Sequence, residues 1–497
     1  MTVANAFPLL PEVAEFLSSA PIASVIGGRD ALARDGSTFD TFDPGSARHL
    51  AQVSALGAPD IDDAVRVAAA AFPKWSALAA SERAVHLHRL ADALEARKPI
   101  LAQIEALDAG KLVPAAEQDV QVCIDTLRYF TDMALHVTRR TTLAISGYDA
   151  WTTREPWGPC GFIFPWNFPI LLIGWGVPPA LAAGNTVVIK PAEDTPLSAI
   201  YLARLAREIG FPDGVINVVT GHGQTAGAAL AAHPRLKRFS FTGSPEVGRL
   251  VGAACGANLT PCKLELGGKG AAVVFDDVDI DATAEKLAIA ITTHTGQVCC
   301  DATRWLVHER IHDRFADACV KRLAEVRVGY QMDKASQMGP VVNARQRARV
   351  LGYLARGEAE GAHALLAGGA VDVPGFDGFY VKPALLAGDP ANVASREEIF
   401  GPVAFLTPFR DEAHAVELAN ATDYGLANSV WSTDLQRASR VAEAMVAGNS
   451  WINAHNVFPH GVPYGGINRS GMGGGVNSPE TLFDYWRSQS MVRPRAS

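Results

Sequence analysis

Residues 296–301, Gly-Gln-Val-Cys-Cys-Asp, set two adjacent thiols, Cys299 and Cys300, in a chain with seven cysteines. A cysteine attacks a carbonyl as its thiolate, which forms at neutral pH only where a neighbour or a hydrogen bond lowers the thiol pKa. A cysteine that fills a core stays protonated and inert. A candidate partner stands upstream in Leu-Glu-Leu-Gly-Gly-Lys (264–269). Glu265 lies there between Leu264 and Leu266, so an apolar strand end would take it partly out of water and raise its pKa toward that of a general base. The same pattern also suits a strand-end carboxylate on the surface.

Further segments have the make-up of a nucleotide site. In Phe-Thr-Gly-Ser-Pro-Glu-Val (241–247) a strand ends at Gly243, Ser244 is a good N-cap and Pro245 suits the first helical position. The free amides and positive dipole end of such a helix can hold a pyrophosphate. Gly-His-Gly-Gln-Thr-Ala-Gly (221–227) has GxGxxxG spacing rather than GxGxxG, so Gly223 belongs either to a weak phosphate loop or to a tight strand-to-helix turn. Lys190 and Glu193 follow a short apolar strand. A carboxylate there can accept hydrogen bonds from both ribose hydroxyls and would repel a 2'-phosphate, which favours NAD over NADP if a nucleotide binds.

These side chains need a scaffold, and with 497 residues, 48% of them apolar, at least two packed cores are expected. Residues 60–108 read as helices, with Leu87, Leu90 and Leu94 at helical spacing. From 160 onward, strands at 186–189 and 215–219 and at Arg-Phe-Ser-Phe-Thr-Gly (238–243) alternate with helices, including one through Leu197, Tyr201 and Leu205 and a small-residue helix after 221. That βαβαβ order predicts a parallel sheet covered on both faces. A second series, with strands near 271–275, 304–308 and 403–408 and helices near 281–293 and 311–325, predicts a second α/β unit. The Thr- and aromatic-rich segment 138–158 reads as a β-hairpin, and the C-terminal end supplies another strand; such edges favour subunit contacts.

The bulk properties narrow the function. A net charge of −8, from 44 basic and 52 acidic residues, offers no phosphate-neutralising run, so nucleic acid is not an expected partner. Seven cysteines without CxxC spacing predict neither a disulfide framework nor a metal site. The N-terminal stretch lacks a basic n-region, and the uncharged run from 156 to 189 is broken by Pro159, Pro165, Pro169, Pro178 and Pro179. A cytoplasmic protein with no membrane span is the expectation.

Taken in order, Phe-Pro-Trp-Asn-Phe-Pro (164–169), Lys-Pro-Ala-Glu-Asp-Thr-Pro (190–196), Phe-Thr-Gly-Ser (241–244), Leu-Glu-Leu-Gly-Gly-Lys (264–269), Gly-Gln-Val-Cys-Cys (296–300), Glu-Glu-Ile-Phe-Gly-Pro-Val (397–403) and Pro-Tyr-Gly-Gly-Ile-Asn-Arg-Ser-Gly (463–471) make the chain resemble the aldehyde dehydrogenase superfamily over nearly its full length. The resemblance implies a two-domain α/β fold of doubly wound parallel sheets: an NAD-binding domain from 1–137 and 159–264, a catalytic domain at 265–475, and a small β oligomerisation element from 138–158 and 476–497, joining a homodimer or homotetramer. It implies Cys299 as nucleophile, Glu265 as base and Asn167 as oxyanion donor beside the Cys299 N–H. For NAD it implies Lys190 and Glu193 at the adenosine ribose, Ser244 and Trp166 near the pyrophosphate, and Glu398 and Phe400 on the nicotinamide side, with Phe164, Gly223 and Gly243 completing the set.

The implied chemistry is attack of the thiolate on an aldehyde, loss of hydride from the thiohemiacetal to the nicotinamide, and hydrolysis of the resulting thioester. No metal is required. Members that pass the acyl group to coenzyme A lack the Glu, so Glu265 predicts a free acid. Two departures stand out: Asp301 lies where small residues are usual, and its charge would raise the Cys299 pKa, while Gly474 and Gly475 replace a frequent Arg-Glu. Adjacent side chains diverge, so Cys300 is expected to face away from Cys299. By register Phe168, Leu172 and Trp175 should line the entry, closed by a loop carrying His455, Asn456, Phe458 and His460, which suits an apolar or aromatic aldehyde. An amino-, betaine- or semialdehyde is the alternative substrate. A non-catalytic scaffold or a thiol esterase is the alternative class.

Overall fold

The computed structural model describes residues 7–495. The first residues of the N-terminal stretch read for a targeting signal, and the last two of segment 476–497, lie outside them. Helices Ala58–Ala77, Ala80–Ala96, Lys98–Ala109 and Val113–His136 follow one another, and the predicted stripe of Leu87, Leu90 and Leu94 is buried.

The strands Ile216–Val218, Thr186–Lys190, Pro159–Ile163, Arg238–Thr242 and Cys262–Glu265 lie side by side and parallel. Their residues are almost all buried because helices cover both faces, which is why Thr186–Lys190 reads as a nearly continuous apolar run, and even the polar residues of Arg238–Thr242 and Cys262–Glu265 are mostly out of water. Short antiparallel strands extend this sheet, Ser24–Ile26 and Arg29–Ala31 at one end and Gly471–Met472 at the other. Ile163 pairs with Lys190, and Thr242 with Glu265, so the chemistry-bearing strand ends share one edge. Ligand crevices of open α/β sheets form at such carboxyl ends.

A second sheet runs parallel through Ala384–Ala387, Val403–Phe409, Arg304–His308, Ala271–Val274, Ala427–Trp431 and Asn449–Ile452, with His363–Leu366 antiparallel at its edge. The hairpin Arg140–Leu143 and Tyr148–Pro156 turns at Gly147 (φ +77°), and Trp486–Pro494 pairs along the whole second strand. The uncharged run from 156 to 189 holds the interior strand Pro159–Ile163, the helix Pro169–Ala183 and most of the strand Thr186–Lys190, buried in the first core. Among the described residues no helix is long and apolar enough to cross a membrane. One element differs from expectation. The small-residue helix after 221 begins as a single π-type turn, Gly223–Gly227, before a short helix, Ala228–Ala231.

Candidate active site

The two cysteines sit just beyond helix Ile280–Thr292, after a turn in which His294 (φ +46°), Thr295 (φ +58°) and Gly296 (φ +68°) are all left-handed. A β-branched residue in that region costs on the order of 1 kcal/mol, so tertiary contacts must impose the turn. They are present. Gln297 donates through Nε2 to the His294 carbonyl (2.9 Å) and accepts through Oε1 from the Val342 amide (2.9 Å), while the Thr295 hydroxyl donates to the Gly339 carbonyl (3.0 Å). Asn167, buried, donates from Nδ2 to the Gln297 carbonyl at 3.0 Å. That bond uses one of its two amide hydrogens.

Cys299 lines the cavity that Glu265 also lines, whereas Cys300 is buried outside that lining. The neighbouring Cys300 thiol and the Tyr464 hydroxyl, 3.5 Å from the Cys299 sulfur, lower the Cys299 pKa against the opposing effect of burial. The proximity of Cys299, with burial behind it, pushes Cys300 well up, and its thiol donates to Asn456 Oδ1 (3.2 Å). Cys299 is therefore the more readily ionised of the two thiols. Burial raises the Asp301 carboxyl pKa well above the usual range, which favours its uncharged form, and Asn456 Nδ2 donates to it at 3.1 Å.

Glu265 closes the strand Cys262–Glu265, buried, and among the described residues neither of its oxygens has a hydrogen-bond partner. Burial pushes its carboxyl up to about 8, with the charge of Lys263 opposing. It faces the same cavity as Cys299, walled by Phe164, Leu172, Trp175, Thr242, Leu426, Tyr464 and Val476. Phe458 backs that wall, its ring edge-on to Trp175 (5.3 Å) and Tyr464 (5.2 Å). Phe168 instead packs on His294 (5.3 Å) and under the Lys111 ammonium (4.1 Å), supporting the turn.

His455 and Asn456 correct the expected entry. His455 Nε2 lies 3.1 Å from both the Ala302 amide and the Cys300 carbonyl, and Asn456 holds Cys300 and Asp301, so both sit behind the nucleophile. His460 stacks on Tyr129 at 5.2 Å and bonds Asn477.

Along the strand-end edge, Lys190 is buried and reaches Glu193 Oε2 at 3.4 Å, while the Gly223 amide donates to Glu193 Oε1 at 3.2 Å. Partial burial pushes Glu193 up, but Lys190 and these donors outweigh it and leave the carboxylate below its usual range. Ser244 caps the helix Pro245–Ala257, accepting from the Val247 amide, and Gly243 has no room for a Cβ against the Phe241 ring. From the second half of the chain, Phe400 (φ +62°) meets the Trp166 ring edge-on at 5.3 Å. Glu398 accepts from the Gly268 amide at 2.9 Å, and burial pushes it up to about 7.

Residues 32–491 match the model of the "Aldehyde dehydrogenase family". The chain belongs to that family. It is 39% identical to an aldehyde dehydrogenase of Emericella nidulans, over 91% of each chain. Its fold matches that of PnpE in complex with nicotinamide adenine dinucleotide (TM-score 0.93, 39% identity, 95% of this chain and 97% of the other). It also matches an NAD+ complex of aldehyde dehydrogenase from Bacillus cereus (TM-score 0.95, 35% identity, 98% and 99%). The protein is an NAD-dependent enzyme that oxidises aldehydes.

In this aldehyde dehydrogenase several site residues escape a reading of sequence alone. Tyr464 belongs to a recognised glycine-rich segment, yet its hydroxyl meets a sulfur 165 positions away. Lys263 is a fully buried cation in an apolar strand. A lysine two residues before a candidate base was the one local signal available, since alternate strand residues share a face. Gln297, part of the quoted motif, serves as the brace of the nucleophile turn.

Proposed function

We propose that this dehydrogenase converts an uncharged apolar or aromatic aldehyde to the free acid through a thioester on Cys299. The observation that carries this reading is one apolar cavity shared by a stabilised thiol and a buried, unpartnered carboxyl, Cys299 and Glu265.

The chain's own groups divide the work as follows. Cys299 attacks the carbonyl carbon, and the unused Asn167 N–H with the Cys299 amide receives the resulting oxyanion, each such donor contributing on the order of 3 kcal/mol. Glu193, ionised, half-exposed and braced by Lys190 and Gly223, fits a ribose diol; the exposed N-terminus at Ser244 fits a pyrophosphate; Trp166, Glu398 and Phe400 fit the nicotinamide side. When bound, NAD supplies the hydride acceptor. Glu265 then takes a proton from water as the water oxygen attacks the thioester, and the carbon–sulfur electron pair returns to Cys299. Trp175, Leu172 and Phe458 keep other water out and give an aldehyde an apolar surround. The open outer strand Arg140–Leu143, exposed at every residue, supports assembly of two or four copies through the three-stranded sheet, as the domain boundaries above imply.

A panel of aldehydes assayed for NADH, with the product analysed as free acid or acyl-coenzyme A, tests the reading. Aromatic and medium aliphatic aldehydes should yield NADH and free acid, and Cys299→Ala should lose turnover with NAD binding retained. Acyl-coenzyme A as the sole product, or turnover by Cys299→Ala, overturns it.

A further inference from the structure

The proton that Glu265 removes from water has to leave a closed site, and among the described residues Glu265 has no hydrogen-bond partner to take it. Lys263 lies two residues earlier on the same strand, so its side chain starts from the same face. The registered neighbours agree, since Ser240 pairs with Lys263, Thr242 pairs with Glu265, and both Ser240 and Thr242 line the cavity. From there the lysine turns outward. Its ammonium donates to the Gly475 carbonyl and pairs with Asp484 Oδ2 at 2.8 Å. Lys263 is sealed, whereas the Asp484 side chain is 30% exposed.

Two glycines pack together between the carboxyl and the ammonium. A Cβ on Gly465 would lie 2.7 Å from the Gly475 α-carbon and 3.1 Å from Glu265 Oε1, and a Cβ on Gly475 would lie 2.5 Å from the Tyr464 carbonyl oxygen. Glu265 thus abuts one side of the Gly465–Gly475 contact, and Lys263 bonds the Gly475 carbonyl. No side chain fits between them at this contact. This is the segment where Gly474 and Gly475 depart from the frequent Arg-Glu.

We propose that Lys263 and Asp484 form the proton exit of the active site, leading from Glu265 to solvent. The inference rests on the hydrolytic reading given above. After deacylation the carboxyl of Glu265 carries the water's proton. The Lys263 ammonium passes one proton to the Asp484 carboxylate and takes the one from Glu265 through an intervening water, and Asp484 releases its own to bulk water. All three groups return to their starting states, and the net result is one proton in solvent. Lys263 acts through Glu265, so it is a positioning residue that also carries the proton. The charged and titratable groups around the path are Cys299 beside Glu265, and Asp484 and Arg238 beside Lys263, with Arg238 3.4 Å from the same Asp484 oxygen.

The full-length enzyme with NAD and an aldehyde it turns over provides the test, comparing wild type with Lys263→Met, Lys263→Arg and Asp484→Asn. The NADH burst counts correctly folded, acylation-competent sites in every variant. Lys263→Met should keep the burst and lose about tenfold or more in the later steady rate. Its kcat inflection should move to higher pH, because the cation that favours ionised Glu265 is gone. Its steady rate should climb with the concentration of a small proton-carrying buffer such as imidazole, and Lys263→Arg should recover part of it. Asp484→Asn should shift the steady rate the same way by less. An unchanged steady rate and inflection in Lys263→Met, or a burst that falls in proportion to the steady rate, overturns the exit path. A wild-type enzyme that gives no NADH burst with any aldehyde removes the underlying reading instead.

Discussion

Glu193 and Glu265 are carboxylates at the ends of strands in one sheet, and the protein treats them in opposite ways. Glu193 is partly exposed, braced by a lysine and a backbone amide, and ionises more readily than usual. Glu265 is buried, has no hydrogen-bond partner among the described residues, and is pushed up to about 8. A group that must hold a ligand is best fully ionised with its geometry fixed by partners. A group that must accept a proton at neutral pH is best held where its charge is costly, so that the proton finds a sink of comparable strength. The thiols repeat the contrast one residue apart: Cys299 is pushed down and Cys300 up.

The contrast breaks most visibly when Glu265 loses its basicity while keeping its shape. Glu265→Gln should release one equivalent of NADH per site in a rapid burst and then turn over about a hundredfold or more slowly, because acylation does not need the carboxylate and thioester hydrolysis does. Stopped-flow absorbance separates the phases. A steady rate near wild type would transfer the base role elsewhere. With the carboxylate present, kcat limited by deacylation should rise with pH through an inflection near 8, since only the ionised form accepts a proton.

A smaller effect is expected at the binding end. Glu193→Gln removes the charge from the carboxylate held by Gly223 and Lys190, so the KM for NAD should rise about tenfold with kcat little changed, and the disadvantage of NADP should narrow. Equal KM values for NAD in variant and wild type would move the ribose away from Glu193.

The two ends also differ in how much of them can be read before folding. The strand behind Lys190 announces itself as a short apolar run, that behind Gly243 by its place in the βαβαβ order, and Ser244-Pro245 marks a helix start by local capping rules alone. The nucleophile turn does not. Its left-handed His294 and Thr295 are imposed by Gln297, Val342 and Gly339, contacts that no periodicity encodes. For the same reason His455 and Asn456 were expected at the entry and lie behind the sulfur instead, since loop register gives position along the chain and leaves side-chain direction open. Tyr464 and Asp484 reach the site only through tertiary pairing.

The last and smallest test concerns stability. A carboxyl with its folded pKa raised from 4.5 to about 8 is held in the protonated form by the fold, so its contribution is complete below pH 4.5 and is lost as pH rises through 8. Wild type should therefore weaken over that interval by an amount that Glu265→Gln, unable to ionise, does not share. The melting temperatures of the two should separate as pH rises from 4.5 to about 8, with the variant higher, hold a constant gap above that, and converge as the pH falls toward 4.5. A constant difference across the range would mean that Glu265 ionises in the folded enzyme as it does in water, and the contrast with Glu193 would then lie in position alone.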